Sequence, residues 1–496
     1  MSQVSVRSTD LEKFSAASSR SALDRVAVAA LAAIVALLLV ATYFTPPVWQ
    51  HGEAREGMVI WDIVIHHRWI LPLRGGELPS KPIFYHWLAS GLALLMGLSD
   101  FTIRLPSVVG AALLASVTYV VATFGAGRKV GLMSIGILVA TFEFWDSGTE
   151  ARVDMLFASL IALALAAWYV WYGTGNRWAH ALAYLAVALS VLTKGPAGAV
   201  LPGLVIVGFL LLQRELAKLG EFFSWPWLLL VLAIDLGWYW AAYQRGGPAF
   251  LQKQIVYENL LRFFGGAEFQ MQKSRALDAL WLVTQIFPWS LLLLASLVRW
   301  RRGRSPDRFG YFLHAWWFSI FLFFLLSAGR RAVYLLPIYP AVAVLAAREG
   351  AALLEAWEEF SDGRRWQIGA WTMAALVLAA IDLTLALATP VSRILQSARS
   401  DQEKFFDEMI PNVPANAPLY AAPDFPETAV KVLDYRLGRS IAVRELACQG
   451  DYYYLATRTP QAACAGSISV VVADRGKVPL RLLHVSGRPA EAALQP

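Results

Sequence analysis

Charged residues are scarce in this chain. Asp, Glu, Lys and Arg make up 16% of its 496 residues, where soluble domains carry about 25%. That shortfall excludes an ordinary water-soluble globular protein. Cysteine is nearly absent, with only Cys448 and Cys464, so no zinc-type cysteine spacing exists. No Gly-rich phosphate loop appears, which argues against a nucleotide substrate. No fixed-period repeat of the solenoid kind is found. No small-residue cleavage site follows the first apolar run, so Val26–Phe44 reads as a retained helix and not a removed signal.

What is abundant is apolar. Hydrophobic residues make up 57% of the chain, with 20 tryptophans to anchor at membrane interfaces. A spanning helix needs about 20 apolar residues. Candidate spans are Val26–Phe44, Ile103–Phe124, Val130–Trp145, Met155–Tyr172, Trp178–Leu192, Ala197–Leu212, Trp225–Tyr243, Leu277–Val298, Phe309–Ser327, Ala332–Ala347 and Ile368–Thr389, about eleven in all. Ile83–Leu98 is apolar but short, and parity decides its reading. With the N-terminus inside and Ile83–Leu98 juxtamembrane, the inside loops are 127–129, 175–177, 213–218, 299–304 and 363–365. Each carries Lys or Arg, and 299–304 holds four arginines. This is the positive-inside pattern. It accounts for the net charge of +7 without nucleic acid. The same parity puts Glu53, Lys81, Asp154, Lys194, the loop Tyr243–Ala276, Arg330 and the C-terminal region outside.

The expected organisation is a tail over 1–25, a membrane domain over 26–389 with residues 45–102 as its first outer loop, and an outer domain over 390–496. Within the loop, Glu56–His67 is spaced for an interfacial helix, with Met58, Trp61, Val64 and Ile65 on one face and Asp62 and His66 on another. After Pro390, Ser392–Met409 reads as a polar helix. Leu419–Ala422, Ser440–Arg444, Tyr452–Thr457, Ser467–Ala473 and Leu480–Val485 read as short strands. The fold class is therefore an all-α polytopic membrane domain with a small C-terminal soluble α/β domain. Cys448 and Cys464 fall in that outer domain, as a disulfide or as two free thiols.

Candidate chemistry gathers on the outer face. The stretch His51–Glu56 brings Glu53, Arg55 and Glu56 close to hydrocarbon, where charge is costly and invites a functional explanation; an ordinary solvated loop is the other reading. Asp154 heads a helix, as a site carboxylate or as an N-cap and dipole partner. Lys194 sits in a tight Lys-Gly-Pro break, as a ligand group or a snorkelling anchor. Arg330 and Arg331 at an outer junction offer fork-shaped donors to a phosphate. Glu258 and Arg262 are spaced to pair on a helix. Cations would hold a lipid-linked phosphate as leaving group, and a carboxylate would take the acceptor proton.

Gly52-Glu-Ala-Arg55, Trp69-Ile-Leu-Pro72, Ser80-Lys-Pro82 with Trp87, Arg104-Leu-Pro106, Arg152-Val-Asp154, Thr193-Lys-Gly195, Glu258 with Arg262-Phe263, and Gly329-Arg330 with Tyr334 recur in one order. Over roughly the first 340 residues this resembles the GT-C integral membrane glycosyltransferases of the aminoarabinose transferase and protein O-mannosyltransferase group. The resemblance implies a GT-C fold and transfer, with inversion, from a polyprenyl (undecaprenyl) phosphate sugar to a lipid A, glycan or protein acceptor at the periplasmic face of the inner membrane. It implies Glu53 and Asp154 as the key carboxylates, and Arg55, Lys81, Lys194, Arg330, Tyr334 and Glu258 around the substrate. Three positions depart from the family pattern. Gly52 stands where the family has Asp, which leaves Glu53 or Glu56 as the first-loop acid. Ser80 and Asn259 stand where relatives have Glu and His, which removes support for a divalent metal. His51, His66, His67 and His86 would be substitutes only in principle. The rival class is a lipid transporter or flippase, for which Asp235 and Asp382 inside apolar runs are the hints.

Overall fold

The computed structural model describes residues 21–44, 48, 51–265, 280–281, 283–302, 306–329, 331–360, 404–447, 450–457, 468–473 and 480–487. The chain is mostly helical: α1 Ser21–Phe44, α2 His51–His66, α3 Phe84–Met96, α4 Asp100–Ala126, α5 Arg128–Val139, α6 Phe142–Thr149, α7 Val153–Thr174, α8 Arg177–Lys194, α9 Ala197–Leu212, α10 Trp225–Leu251, α11 Ser290–Arg301, α12 Arg308–Leu326, α13 Tyr339–Phe360 and α14 Glu427–Leu437. Five short strands follow the membrane part: β1 Leu419–Ala421, β2 Ala442–Val443, β3 Gly450–Ala456, β4 Ile468–Ala473 and β5 Arg481–Gly487.

This is a multi-pass membrane protein. Among the described residues five helices are long and apolar enough to cross: Asp100–Ala126, Val153–Thr174, Trp225–Phe264, Arg308–Leu326 and Ala332–Ala356. The expected single span Val130–Trp145 is instead broken, with α5 and α6 meeting at 68°. Side chains hold the break open. Thr141 Oγ1 donates to the Leu138 carbonyl at 2.7 Å, and Trp145 Nε1 donates to the Val139 carbonyl at 2.7 Å. The expected outer loop from Tyr243 is helical as far as Phe264. Gly247, at φ 59° before Pro248, kinks it, since a residue preceding proline is pushed out of the helical region. Gln252–Leu261 then continues as a π-helix. The expected spans 368–389, the residue Asp382, both cysteines and most of Ser392–Met409 lie outside the described residues.

The chain forms two compact units. The first comprises residues up to Thr45, Ser80–Leu92 and Arg104–Thr384; the second comprises Pro46–Pro79, Ala93–Ile103 and Leu385–Pro496. In the first, α7 is buried along nearly its whole length. Its Trp168 and Tyr169 meet Phe209 of α9 and Phe312 of α12, with Tyr169 stacked on Phe312 at 4.3 Å between centroids.

In the second unit the sheet order is β2-β1-β3-β5-β4. β1 runs parallel to β2 and β3, and β5 runs antiparallel to β3 and β4. α14 crosses from β1 to β2 and was not expected from the sequence. The same unit contains α2, which begins at His51 and so takes in the stretch read as a loop. It is also not the one-sided interfacial helix expected. From Glu53 to Ile63 it is buried on almost every side, because apolar residues at Ala54, Met58, Val59, Ile60 and Ile63 encircle it.

Candidate active site

The cluster in the first unit starts at the break before α7. Ser107 Oγ donates to the Glu150 carbonyl at 2.6 Å and lies 3.1 Å from the Arg152 carbonyl, pinning the turn. Arg152 is the N-cap of α7 and caps nothing with its side chain. Its Nη1 lies 3.3 Å from Glu150 Oε2 and its Nε 3.6 Å from Asp154 Oδ2. Burial works against the Arg152 charge, but Asp154 and Glu150 outweigh it and hold the guanidinium above its ordinary range. Asp154, in the first turn of α7, accepts from Lys194 Nζ at 2.6 Å.

Lys194 is the last residue of α8, where the helix dipole favours a cation. Gly195 follows at φ 85°, and a Cβ there would stand 3.2 Å from Asn259. The backbone conformation favours glycine and a Cβ would crowd Asn259, so Lys194 is delivered at a fixed place. Its ammonium lies over the Tyr334 ring at 4.3 Å and the Phe157 ring at 4.9 Å. Arg262 Nη1 donates to the Tyr334 hydroxyl at 3.2 Å, and Arg262 Nη2 lies 2.8 Å from Glu258 Oε2.

Glu258 is a hub for three cations, with Lys81 Nζ at 3.4 Å and Lys253 Nζ at 3.7 Å beside Arg262. The wide register of the π-helix explains this. Lys253 and Glu258 are five apart and Glu258 and Arg262 four apart, so all three fall along one side. Gln254 Nε2 lies 3.5 Å from the Lys81 carbonyl, tying the helix to the loop. Lys81 lies outside the spans, and burial pushes its ammonium below the ordinary lysine range. Glu258 opposes that shift, while Arg262 and Lys194 add to it.

A continuous chain thus runs Arg152–Asp154–Lys194–Tyr334–Arg262–Glu258–Lys81. In these ion pairs five cations meet three carboxylates, and the Asp146 carboxylate acts on Arg152 as well. The balance is net positive, which favours an anion such as a phosphate, whose monoester carries about −1.5 to −2 at neutral pH.

Of the residues expected from the sequence, Asp154, Lys81, Lys194, Tyr334 and Glu258 come together here. Glu53 and Arg55 are in α2 of the second unit, where Glu53 is buried and Arg55 Nη2 lies 3.7 Å from Glu56 Oε1. Arg330 lies outside the described residues. Lys253 and Gln254 were missed because their stretch read as loop; the five-residue spacing from Lys253 to Glu258 was the available signal. His66 is 2.8 Å from Asp62 and His86 is 3.1 Å from the Pro82 carbonyl, each a local partner. Among the described residues no three His, Cys, Asp or Glu side chains converge as a metal set.

Residues 80–240 match the dolichyl-phosphate-mannose-protein mannosyltransferase family model. An undecaprenyl phosphate-alpha-4-amino-4-deoxy-L-arabinose arabinosyl transferase of Pseudomonas fluorescens is 25% identical over 62% of this chain and 56% of its own length. One from Shewanella sediminis is 25% identical over 67% of this chain and 61% of its own. An uncharacterised protein of Aquifex aeolicus is 27% identical over 60% of this chain and 59% of its own. The match therefore spans less than two thirds of these relatives. The crystal structure of ArnT from Cupriavidus metallidurans bound to undecaprenyl phosphate superposes with a TM-score of 0.75 at 16% identity, covering 93% of this chain and 99% of that one. In fold this chain is similar to that GT-C enzyme, and in sequence it is similar to the aminoarabinose transferases and, over residues 80–240, to the mannosyltransferase family.

Two of the departures expected from the resemblance have local partners. Asn259 donates to the Gln254 carbonyl at 2.5 Å and packs beside Gly195. It therefore serves the π-helix and its neighbouring turn. Ser80 is buried beside the Lys81 loop, where a glutamate would bring a further charge out of water.

Proposed function

We propose that this protein transfers a glycosyl group from a polyprenyl (undecaprenyl) phosphate sugar to an acceptor at the periplasmic face of the inner membrane. The finer architecture belongs to the same reading: about eleven spans and an outer α/β domain over 390–496. The observation that carries it is the surplus of cations around Tyr334. A cluster with net positive charge at membrane-helix ends is costly unless an anion completes it. A lipid phosphate is the anion a membrane delivers there.

The acceptor hydroxyl oxygen attacks the anomeric carbon. The bond from that carbon to the phosphate oxygen breaks, and the electron pair leaves on the phosphate. Lys81, Lys194 and Arg262 stabilise that leaving dianion, as preorganised cations do where charge develops, and Arg330 is assigned to the phosphate on the family resemblance. The hydroxyl proton goes to a first-loop carboxylate, Glu53 or else Glu56, with Arg55 orienting it. Two cations on Asp154 support an ionised, orienting role for that residue: it aims Lys194 and Arg152. Glu258 does the same for Lys81, Lys253 and Arg262, and Tyr334 stiffens the link between the two sets.

The test is sugar transfer in proteoliposomes from a panel of synthetic undecaprenyl-phosphate sugars to lipid A, glycan and protein acceptors. Lys194→Ala and Arg262→Ala are expected to abolish transfer while the protein still inserts. Undiminished transfer in both would sink the reading.

A further inference from the structure

Within the second unit, the C-terminal α/β module grips α2 at several points. Gly57 lies under the ring of Tyr435 from α14, and a Cβ there would stand 2.5 Å from Cε2 and 2.6 Å from Cδ2. The ring cannot easily yield, because the Tyr435 hydroxyl donates to Asp100 Oδ1 at 2.8 Å. The other oxygen of Asp100 accepts from the Val48 amide at 2.9 Å, three residues before α2 begins. One turn beyond Gly57, Trp61 packs on Gly438, whose added Cβ would meet Trp61 Nε1 at 2.9 Å. The chain leaving α2 is held as well. Lys431 lies 3.6 Å from Glu77, and Ser440 Oγ donates to the Gly75 carbonyl at 3.2 Å.

A glycine inside a helix costs about 1 kcal/mol relative to alanine, so Gly57 needs a reason, and the Tyr435 ring supplies one. Glu53, Gly57 and Trp61 are spaced four apart and form a single stripe. Glu53 is one turn, about 6 Å, from the Tyr435 contact. A shift of α2 at Gly57 is therefore a shift of Glu53 and Glu56.

We propose that the C-terminal module is a positioning element for the first-loop carboxylates. Tyr435 on Gly57 and Trp61 on Gly438 fix the rotation and register of α2, and so fix where Glu53 and Glu56 stand. This rests on the reading of one of those acids as the base. It differs from acceptor recognition, in which the module would touch substrate and leave α2 alone.

Two variants of the full-length protein test it. Tyr435→Phe removes the bond to Asp100 and keeps the ring; Gly57→Ala pushes a methyl into the ring. Amide exchange across 51–66 is expected to rise about five- to tenfold in each, the effect of one lost hydrogen bond. Using the best donor from the synthetic panel, kcat is expected to fall about tenfold with both KM values unchanged, the pattern of a lost transition-state interaction. If Gly57→Ala does not fold, Tyr435→Phe carries the test. Unchanged exchange overturns the proposal, as does a raised acceptor KM at constant kcat. Faster exchange with unchanged kcat, while Glu53→Gln or Glu56→Gln is inactive, overturns it too. Full activity in both glutamine variants identifies the base assignment as the failure, and the purpose assigned to the grip falls with it.

Discussion

The two halves of the proposed chemistry are built in opposite ways. In the first unit, cations outnumber carboxylates and are strung along one chain of contacts, Lys194 to Tyr334 to Arg262 to Glu258 to Lys81. In the second, the first-loop acids ride on a helix buried on nearly all sides and clamped by aromatic rings on glycines. The first region recruits charge from distant segments and needs an anion to balance it. The second immobilises its carboxylates by packing, with Arg55 beside Glu56 at 3.7 Å. A phosphate leaving group and a proton acceptor call for those two environments.

Removing a member of the first region should have the largest effect. Arg262→Ala leaves Glu258 with weaker neutralisation and Tyr334 without its donor. A fall in transfer of about a hundredfold or more is expected from the loss of one preorganised donor to developing charge. If Arg262→Ala retains most of its rate, the cation chain does not act on the leaving group.

The next effect separates the acids. Glu53→Gln should lower kcat by about 10², the lower end of the usual contribution of a general base, with donor binding intact, while Glu56→Gln should be milder. The reverse order would move the base to Glu56 and leave the contrast between regions standing.

A smaller effect is in pH dependence. Burial first, then Arg262 and Lys194, hold the Lys81 ammonium below the ordinary range against the pull of Glu258. Lys81 therefore loses its charge at lower pH than a solvated lysine, and donor affinity should fall on the alkaline side. Lys81→Arg keeps the charge at all accessible pH and should move that alkaline limb upward. An unmoved limb would show that Lys81 does not titrate against the phosphate.

The smallest concerns stability in the second unit. Asp434 is buried and accepts from the Ile441 amide at 2.7 Å. Burial raises its carboxyl to about 6, although that hydrogen bond and Lys431 oppose the shift. The folded form thus holds a proton that the unfolded chain releases near pH 4, and stability contributed by this group falls as pH rises from about 4 to about 6. Asp434→Asn should flatten that slope and raise the melting temperature at pH 7.5 by a few degrees, about 1 kcal/mol in effect. Equal melting profiles would mean that Asp434 is not buried as a charge.

Several parts of this arrangement were legible from residues alone. Short motifs flanking apolar runs marked Lys81, Asp154, Lys194 and Glu258, because charge beside hydrocarbon is rare enough to be informative, and the family resemblance added Tyr334. Strands with β-branched and aromatic runs, such as Tyr452–Thr457, stood close to where β3 lies. The π-helix was not legible: hydrophobic periodicity distinguishes 3.6 from 2, and ten residues at a wider pitch look like polar loop. The break between α5 and α6 was hidden because Thr141 and Trp145 capture carbonyls through contacts that no window average registers. The burial of α2 was hidden for a related reason. Its covering partner, α14, lies some 370 residues later in the sequence, and nothing local to Gly57 signals the Tyr435 ring that packs on it.

The central claim is that the chain of cations exists to hold a lipid phosphate. The direct measurement is binding of undecaprenyl phosphate against uncharged undecaprenol, in wild type and in Lys81→Ala, Lys194→Ala and Arg262→Ala. Wild type should favour the phosphate by at least about tenfold, roughly 1.4 kcal/mol, and each variant should lose most of that preference. Equal binding of the two lipids by the wild type, or an undiminished preference in all three variants, would contradict it.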